Sequence, residues 1–242
     1  MSSIQTTCAA VDGRTARLHL DVPGLSASEV AAYLIDAVSE VCNRAEDGSG
    51  SGPVILEMFD GDPHGSDRWA DRELSITLVN RWERTVRRLE RIAAPSVAVA
   101  HANCFGRSLD LLLATDYRIA TPSVRIGLTR AAGALWPGMA LHRLVHQVGA
   151  GRARRMALFG EHLTASEATE IGLLDEVTDD LAGAVRAVTR QVGELSSAEL
   201  AVRRRLLLEA TTTGHDEAIG VHLAACDRTL RRVRDEADRM AS

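Results

Sequence analysis

Apolar positions along the chain switch between two spacings. Arg14–Val22 (RTARLHLDV) alternates polar and apolar residues, the period-two pattern of a half-buried strand. From Ser26 the period lengthens. Val30, Leu34, Val38 and Val41 recur at three and four residues, which predicts an amphipathic helix, and Ser26 with Glu29 three residues on forms a capping box at its start. A flexible connector, Gly48–Pro53 (GSGSGP), leads to a second strand, Val54–Phe59 (VILEMF), and a polar loop of turn formers follows, Asp60–Asp67 (DGDPHGSD). Arg72–Ile92 reads as a long helix with Leu74, Leu78, Trp82 and Leu89 on its apolar side. A strand at Ser96–Ala100, an apolar helix from about Ser108 to Thr115 and a strand at Asp116–Thr121 come next. Beyond them lie a short strand (Val124–Leu128), the stretch Ala131–Gly138 (AAGALWPG), and helices at Met139–Val148, Gly151–Leu158 and Ser166–Ile171. Leu173–Val177 is an edge strand, and from about Asp180 the pattern is helical and arginine-rich. Strands alternating with helices predict the α/β class.

No linker long enough to separate the chain into equal domains interrupts this pattern, and 242 residues suffice for one sizeable core with an appendage. Residues 1–180 are therefore expected to form the core, and 181–242 a C-terminal helical region. Composition adds exclusions. Aromatic residues make up only 3% of the chain, too few for platforms that stack bases, and a net charge of −5 also argues against a nucleic-acid partner. No apolar run approaches the ~20 residues that span a membrane. The start, MSSIQTTCAAVDG, has neither a basic segment nor a long apolar core, so the expectation is a cytoplasmic protein without a membrane partner. All 28 basic residues are arginine, which excludes a Schiff-base lysine and covalently held pyridoxal phosphate. Cys8, Cys42, Cys104 and Cys226 are scattered without metal-ligand spacing and read as reduced thiols, Cys104 standing out because it lies in a turn of interest.

That turn belongs to Ala94–Ala120, APSVAVAHANCFGRSLDLLLATDYRIA. A strand feeding a tight, glycine-bearing turn that opens a helix aims backbone N–H groups at one spot, with the helix dipole behind them. Such a spot stabilises a developing oxyanion. Asp110 lies in the first turn of the helix, close to the same point.

Ordered along the chain, PSVAVAHANCFGRSLDLLLATDYRIAT, VRIGL and LWPGMALHRLVHQVGAGRARRMALFGEHLTASEATEIGLLDEV resemble the crotonase (enoyl-CoA hydratase/isomerase) superfamily. The likeness is close from about Ala94 to Val177 and weaker but colinear before that. It implies a crotonase-like spiral of ββα units with a C-terminal helical region that covers the core and builds a homotrimer or hexamer. It also implies an acyl-CoA thioester substrate, whose oxygen is held between two backbone N–H groups, and no cofactor beyond the coenzyme A of that substrate.

Carried over residue by residue, the resemblance puts the first N–H donor at Ser66, within His64-Gly65-Ser66-Asp67. The second donor falls at Arg107, within Phe105-Gly106-Arg107-Ser108, where the family writes glycine. Any residue except proline keeps the N–H. The arginine side chain is expected either to face solvent or to reach into the pocket. Asp110 matches the first carboxylate of family hydratases, one methylene shorter than the usual glutamate, and Arg130 occupies the place of the second. Hydration of an alkene needs one group to accept a proton and another to donate it, and arginine does neither near neutral pH. Ordinary two-carboxylate hydratase activity is therefore not expected, whereas proton transfer by Asp110 alone is.

Each of these residues also has a plainer reading. Asp110 is favoured electrostatically at a helix start whatever its chemistry. Arg130 has three readings: a partner for Asp110, a clamp for a substrate carboxylate, or a solvent-facing side chain. His64 and His101 border the expected hole, as substitute acid–bases or as structural hydrogen-bonders. Asp116 reads as structural. Arg203-Arg204-Arg205, Arg231-Arg232 and Arg234 read either as contacts for coenzyme A phosphates or, more plainly, as a solvated face interleaved with Glu209, Asp235 and Glu236. Two functions stay open at this stage. One is an acyl-CoA lyase or isomerase in polyketide-type secondary metabolism, of the kind that forms dihydroxyphenylacetyl-CoA on the way to dihydroxyphenylglycine in antibiotic biosynthesis. The other is a catalytically weak accessory protein that assists a type III polyketide synthase.

Overall fold

Strands β1 (Ala9–Asp12) and β2 (Thr15–His19) run antiparallel, and Gly13 turns the chain between them with a φ of 55°. The computed structural model describes residues 9–48, 52–59, 74–131 and 134–241. Beside β2 lie β3 (Val54–Phe59), β4 (Ser96–Ala100), β5 (Tyr117–Ala120) and β10 (Glu176–Val177), each parallel to its neighbour, in the sheet order β1-β2-β3-β4-β5-β10. β1 was not foreseen. The expected edge strand shortens to β10, which pairs with the far side of β5.

Helix α1 (Ala27–Glu46) connects β2 to β3. Its capping box forms as expected: the Ser26 hydroxyl accepts from the Glu29 N–H at 3.2 Å, and the Glu29 carboxylate accepts from the Ser26 N–H at 2.8 Å. Val30, Leu34, Val38 and Val41 are all buried. Helix α2 (Ile76–Arg91) precedes β4 and starts behind Ser75, whose hydroxyl accepts from the Leu78 N–H. The expected start at Arg72 lies outside the described residues, as does the Asp60–Asp67 loop.

All five residues of β4 are buried, as a central parallel strand covered on both faces requires. Ala98 and Ala100 face a large core shared with α1, α2 and helix α3 (Arg107–Leu113). Val97 and Val99 face a smaller one with Ile119 and with Leu181, Ala184 and Val188 of α6 (Leu181–Gly193).

After β5, the expected strand Val124–Leu128 reduces to β6 (Arg125–Ile126), paired with β9 (Leu163–Thr164). β7 (Arg130–Ala131) and β8 (Ala134–Leu135) pair antiparallel. The two helices expected between Met139 and Leu158 form one element, α4 (Ala140–Phe159), interrupted at Gly149. Its φ of 79° and ψ of 159° are a conformation that glycine alone adopts readily. α5 (Ala165–Glu170) starts with a second capping box, Thr164 with Glu167.

α7 (Ser197–Ala210) and α8 (His215–Ala241) end the chain. Arg204 corrects the expectation of a wholly solvated arginine face. It is buried, and its guanidinium donates to an Asp116 Oδ at 2.7 Å, to the Ile92 carbonyl and to the Leu89 carbonyl at 3.4 Å. Its neighbours Arg203 and Arg205 stay outside, paired with Glu199 and Glu209 of the same helix. Among the described side chains of α8 only Ala218 and Ala225 are even half-buried. Among the described residues no helix is long and apolar enough to cross a membrane.

Candidate active site

β4 ends at Ala100, and the chain turns through His101–Gly106 into α3. Gly106 has a φ of 52° and a ψ of −118°, which a side chain would strain. The Ser108 hydroxyl locks the turn from within, accepting from the Phe105 N–H at 2.9 Å and donating to its carbonyl at 2.7 Å. The turn is also stitched to the segment after β5. The Cys104 N–H donates to the Arg125 carbonyl at 2.8 Å, and the Gly127 N–H to the Cys104 carbonyl at 3.1 Å. A Cβ on Gly127 would sit 2.6 Å from the side chains of both Phe105 and His162, so only glycine permits this approach.

Arg107 is the first residue of α3, where the geometry of the first turn gives an N–H no acceptor within the helix. Of the two alternatives for its side chain, the solvent-facing one is overturned. Arg107 is buried, and its guanidinium donates to the Ala27 carbonyl at 2.9 Å, tying the turn to the start of α1. Glycine at this position lacks that tie, so the departure from the family pattern has a structural use.

Asp110 is buried in the first turn of α3. One carboxylate oxygen accepts from the Trp82 indole N–H at 2.9 Å, and the other lies 3.5 Å from the Arg143 guanidinium. Arg143, itself buried, also pairs with Glu83 at 3.2 Å and with Glu90. Burial works to lower the Arg143 pKa, but Glu90, Asp110 and Glu83 outweigh it and hold it raised. One guanidinium thus binds carboxylates of α2 and α3 from its place on α4. Sequence reasoning missed Arg143. The available signal was a charged residue between Ala140 and Leu144 on the buried stripe of its helix.

His101 stacks on Phe59 with ring centroids 4.1 Å apart, and His19 stacks on the same ring at 5.2 Å. Burial pushes the His101 pKa down against the opposing pull of Glu57, which favours the neutral imidazole. Burial pushes the Cys104 thiol up to about 12, so it is an inert packing group rather than a nucleophile. Asp116 is structural, accepting from the Ser96 N–H and hydroxyl at 2.8 and 2.9 Å besides its pair with Arg204. His64, Gly65, Ser66 and Asp67 lie outside the described residues. The backbone of Arg130 forms the first position of β7, and its side chain is likewise outside the described set. The described site is therefore the Gly106–Arg107 turn with Asp110 and its two partners.

The family description "Enoyl-CoA hydratase/isomerase" matches residues 70–227 of this chain. The chain belongs to that family. An enoyl-CoA hydratase of Amycolatopsis orientalis is 42% identical over 198 residues, covering 82% of this chain and 89% of that protein. Solved enoyl-CoA hydratases share the fold at lower identity. The Bacillus anthracis protein has a TM-score of 0.74 at 20% identity, covering 92% of this chain and 91% of that one. The Mycobacterium smegmatis protein has a TM-score of 0.71 at 19% identity, covering 92% and 90%. The parallel sheet with its turn into α3 is thus an enoyl-CoA hydratase/isomerase frame, and an acyl-CoA substrate is consistent with membership.

Proposed function

We propose that the chain acts on an acyl-CoA thioester by stabilising enolate-like charge at the Arg107 N–H, with the Ser66 N–H as second donor. Asp110 serves as the acid–base group. The observation that carries this reading is the first turn of α3: Gly106, in a positive-φ conformation suited to glycine, leads into the helix start, and Asp110 lies one turn on. A fixed donor aimed at a developing oxyanion contributes about 3 kcal/mol to transition-state binding. With Arg130 in place of a second carboxylate, the reaction that fits is dehydration or isomerisation by one base rather than hydration by two groups. The setting is polyketide-type secondary metabolism, such as dihydroxyphenylacetyl-CoA formation. By the family resemblance His64, Gly65, Asp67 and Gly106 are assigned to substrate binding, and Arg130 to recognition of an anionic acyl group.

A second reading is favoured by the way Asp110 is held. Its two carboxylate oxygens are already engaged within the chain, one by the Trp82 indole N–H and the other by the Arg143 guanidinium. On that reading the chain binds an acyl-CoA intermediate and assists a type III polyketide synthase. Self-association fits either function. Ile219, Leu223, Cys226, Leu230, Val233, Ala237 and Met240 recur on α8 at alternating spacings of about four and three residues, the seam of a coiled coil. Residues 181–242 would then be the assembly region of a homotrimer or hexamer.

The test uses crotonyl-CoA alone and malonyl-CoA with the synthase, for the wild type and Asp110→Asn. Product loss of ~100-fold in Asp110→Asn with coenzyme A binding intact is the expected result. An undiminished boost of the synthase by the variant establishes the accessory role instead. Rapid hydration of crotonyl-CoA overturns the single-base assignment.

A further inference from the structure

Helix α2 carries arginines at positions 81, 84, 87, 88 and 91. Arg88 is committed to Glu46 and Asn43. Asn80, Arg84, Arg87 and Arg91 follow one another at intervals of four, three and four residues, one stripe of a helix. That stripe is exposed and forms one wall of a cleft of about 1000 Å³. The second wall is α4, through Met139, His142 and His146, and the third is α7, through Val202 and Leu208.

Charge in the cleft is uneven. Arg143 on its floor is compensated by Glu83 and Glu90, Arg205 by Glu209, and Arg204 by Asp116. Arg84, Arg87 and Arg91 make no ion pair or hydrogen bond among the described residues. Three like charges on one stripe repel one another, a cost that no ion pair offsets among the described residues. Their planar, fork-shaped donors match carboxylate and phosphate oxygens. His142 and His146, with ring nitrogens 3.3 Å apart on the facing wall, add further polar groups. Ile92, Ala93, Met139, Ala201, Val202 and Leu208 supply apolar lining, with Leu208 40% exposed. The cleft's volume is that of a small-molecule site. Its α7 wall is fixed in place, because Arg204 bonds the helix to Ile92, Leu89 and Asp116.

We infer that this cleft binds a small amphiphilic organic anion, its oxyanion head on Arg84, Arg87 and Arg91 and its apolar body against Met139, Val202 and Leu208. Neither Arg107 nor Asp110 lines this cleft, and only its floor residue Arg143 reaches the candidate active site, through its pair with Asp110. It stands whichever function that turn performs.

Calorimetric titration of the full chain with octanoate tests the site, with octyl phosphate, 1-octanol and inorganic phosphate as parallel probes. Saturable binding of octanoate or octyl phosphate at one site per chain is expected, and whichever binds more tightly identifies the preferred head group. Binding should weaken as sodium chloride is raised. The double variant Arg87→Gln/Arg91→Gln should lose at least ~10-fold in affinity with an unchanged circular dichroism spectrum, because both side chains are exposed and hold nothing in place. Failure of both amphiphilic anions to saturate overturns the proposal, as does undiminished binding by the variant. Equal affinity for 1-octanol removes the role of the arginines, and equal affinity for inorganic phosphate removes that of the apolar body.

Discussion

Helices α3 and α8 are opposites. Every residue of α3 is buried, including Arg107, Ser108 and Asp110, whereas no described side chain of the 27-residue α8 is buried. Burial forces the polar groups of α3 into definite partnerships: Arg107 with Ala27, Ser108 with Phe105, Asp110 with Trp82 and Arg143. Solvent makes no such demand on α8, whose ion pairs, Arg231 with Asp227 and Arg232 with Glu199 of α7, lie at the surface beside an exposed apolar seam. Chemistry that depends on fixed geometry belongs where the first regime holds. Recognition of another surface belongs to the second.

The sharpest way to break this contrast is to remove the cation that α3 relies on. Arg143→Ala removes the cation that Asp110, Glu83 and Glu90 share at low exposure. Removal of one partner from a buried ion pair costs about 3–5 kcal/mol, so urea denaturation should show a loss in that range. Arg143→Lys should recover some of it, because an ammonium restores the charge without the fork that reaches three carboxylates. A loss below ~1 kcal/mol for Arg143→Ala would mean that the cluster is solvated and that α3 is not held by charge at all.

Arg204 stands between the two regimes. It carries the buried manner of bonding into the C-terminal region, joining α7 to Asp116, Ile92 and Leu89. Asp116 is partly exposed, so water takes over some of its solvation when the guanidinium is removed. Arg204→Ala is therefore expected to cost less, about 2 kcal/mol. The loss should be local. Amide exchange should quicken across α7 and leave β4 protected. Equal quickening in both would show that the tail and the sheet open as one unit.

What was legible in the sequence follows the same division between local and distant causes. Ser26 with Glu29 announces α1 because the capping bonds close within four residues. Gly106 marks the turn because its conformation is a property of one residue. Asp110 and Arg107 could be placed by resemblance, but their partners could not. Trp82 precedes Asp110 by 28 residues, and Ala27 precedes Arg107 by 80. Only the packing of α1, α2 and α4 around α3 selects them. Arg204 was misjudged for the same reason. In sequence it is the middle of three arginines, and the 88 residues separating it from Asp116 hide which one turns inward. Gly149 was legible as a break but not as a kink within a continuing helix, since the register on either side depends on what α4 packs against.

The smallest effect on the single chain is expected on α8, and it is also the most discriminating. Leu223 and Leu230 are 61% and 54% exposed, so replacing both with glutamine removes little burial from the chain's own core. Measured in dilute solution, stability should stay within ~0.5 kcal/mol of the wild type. Assembly should not survive the change. A heptad seam contributes through knobs inserted into a facing helix, and polar side chains at successive seam positions disrupt that packing. Sedimentation should therefore show the wild type as an oligomer and the double variant as a single chain. Unchanged mass in the variant would place the assembly surface elsewhere. A large loss of stability at high dilution would show that the seam packs within the chain in solution, and α8 would then belong with α3 rather than stand against it.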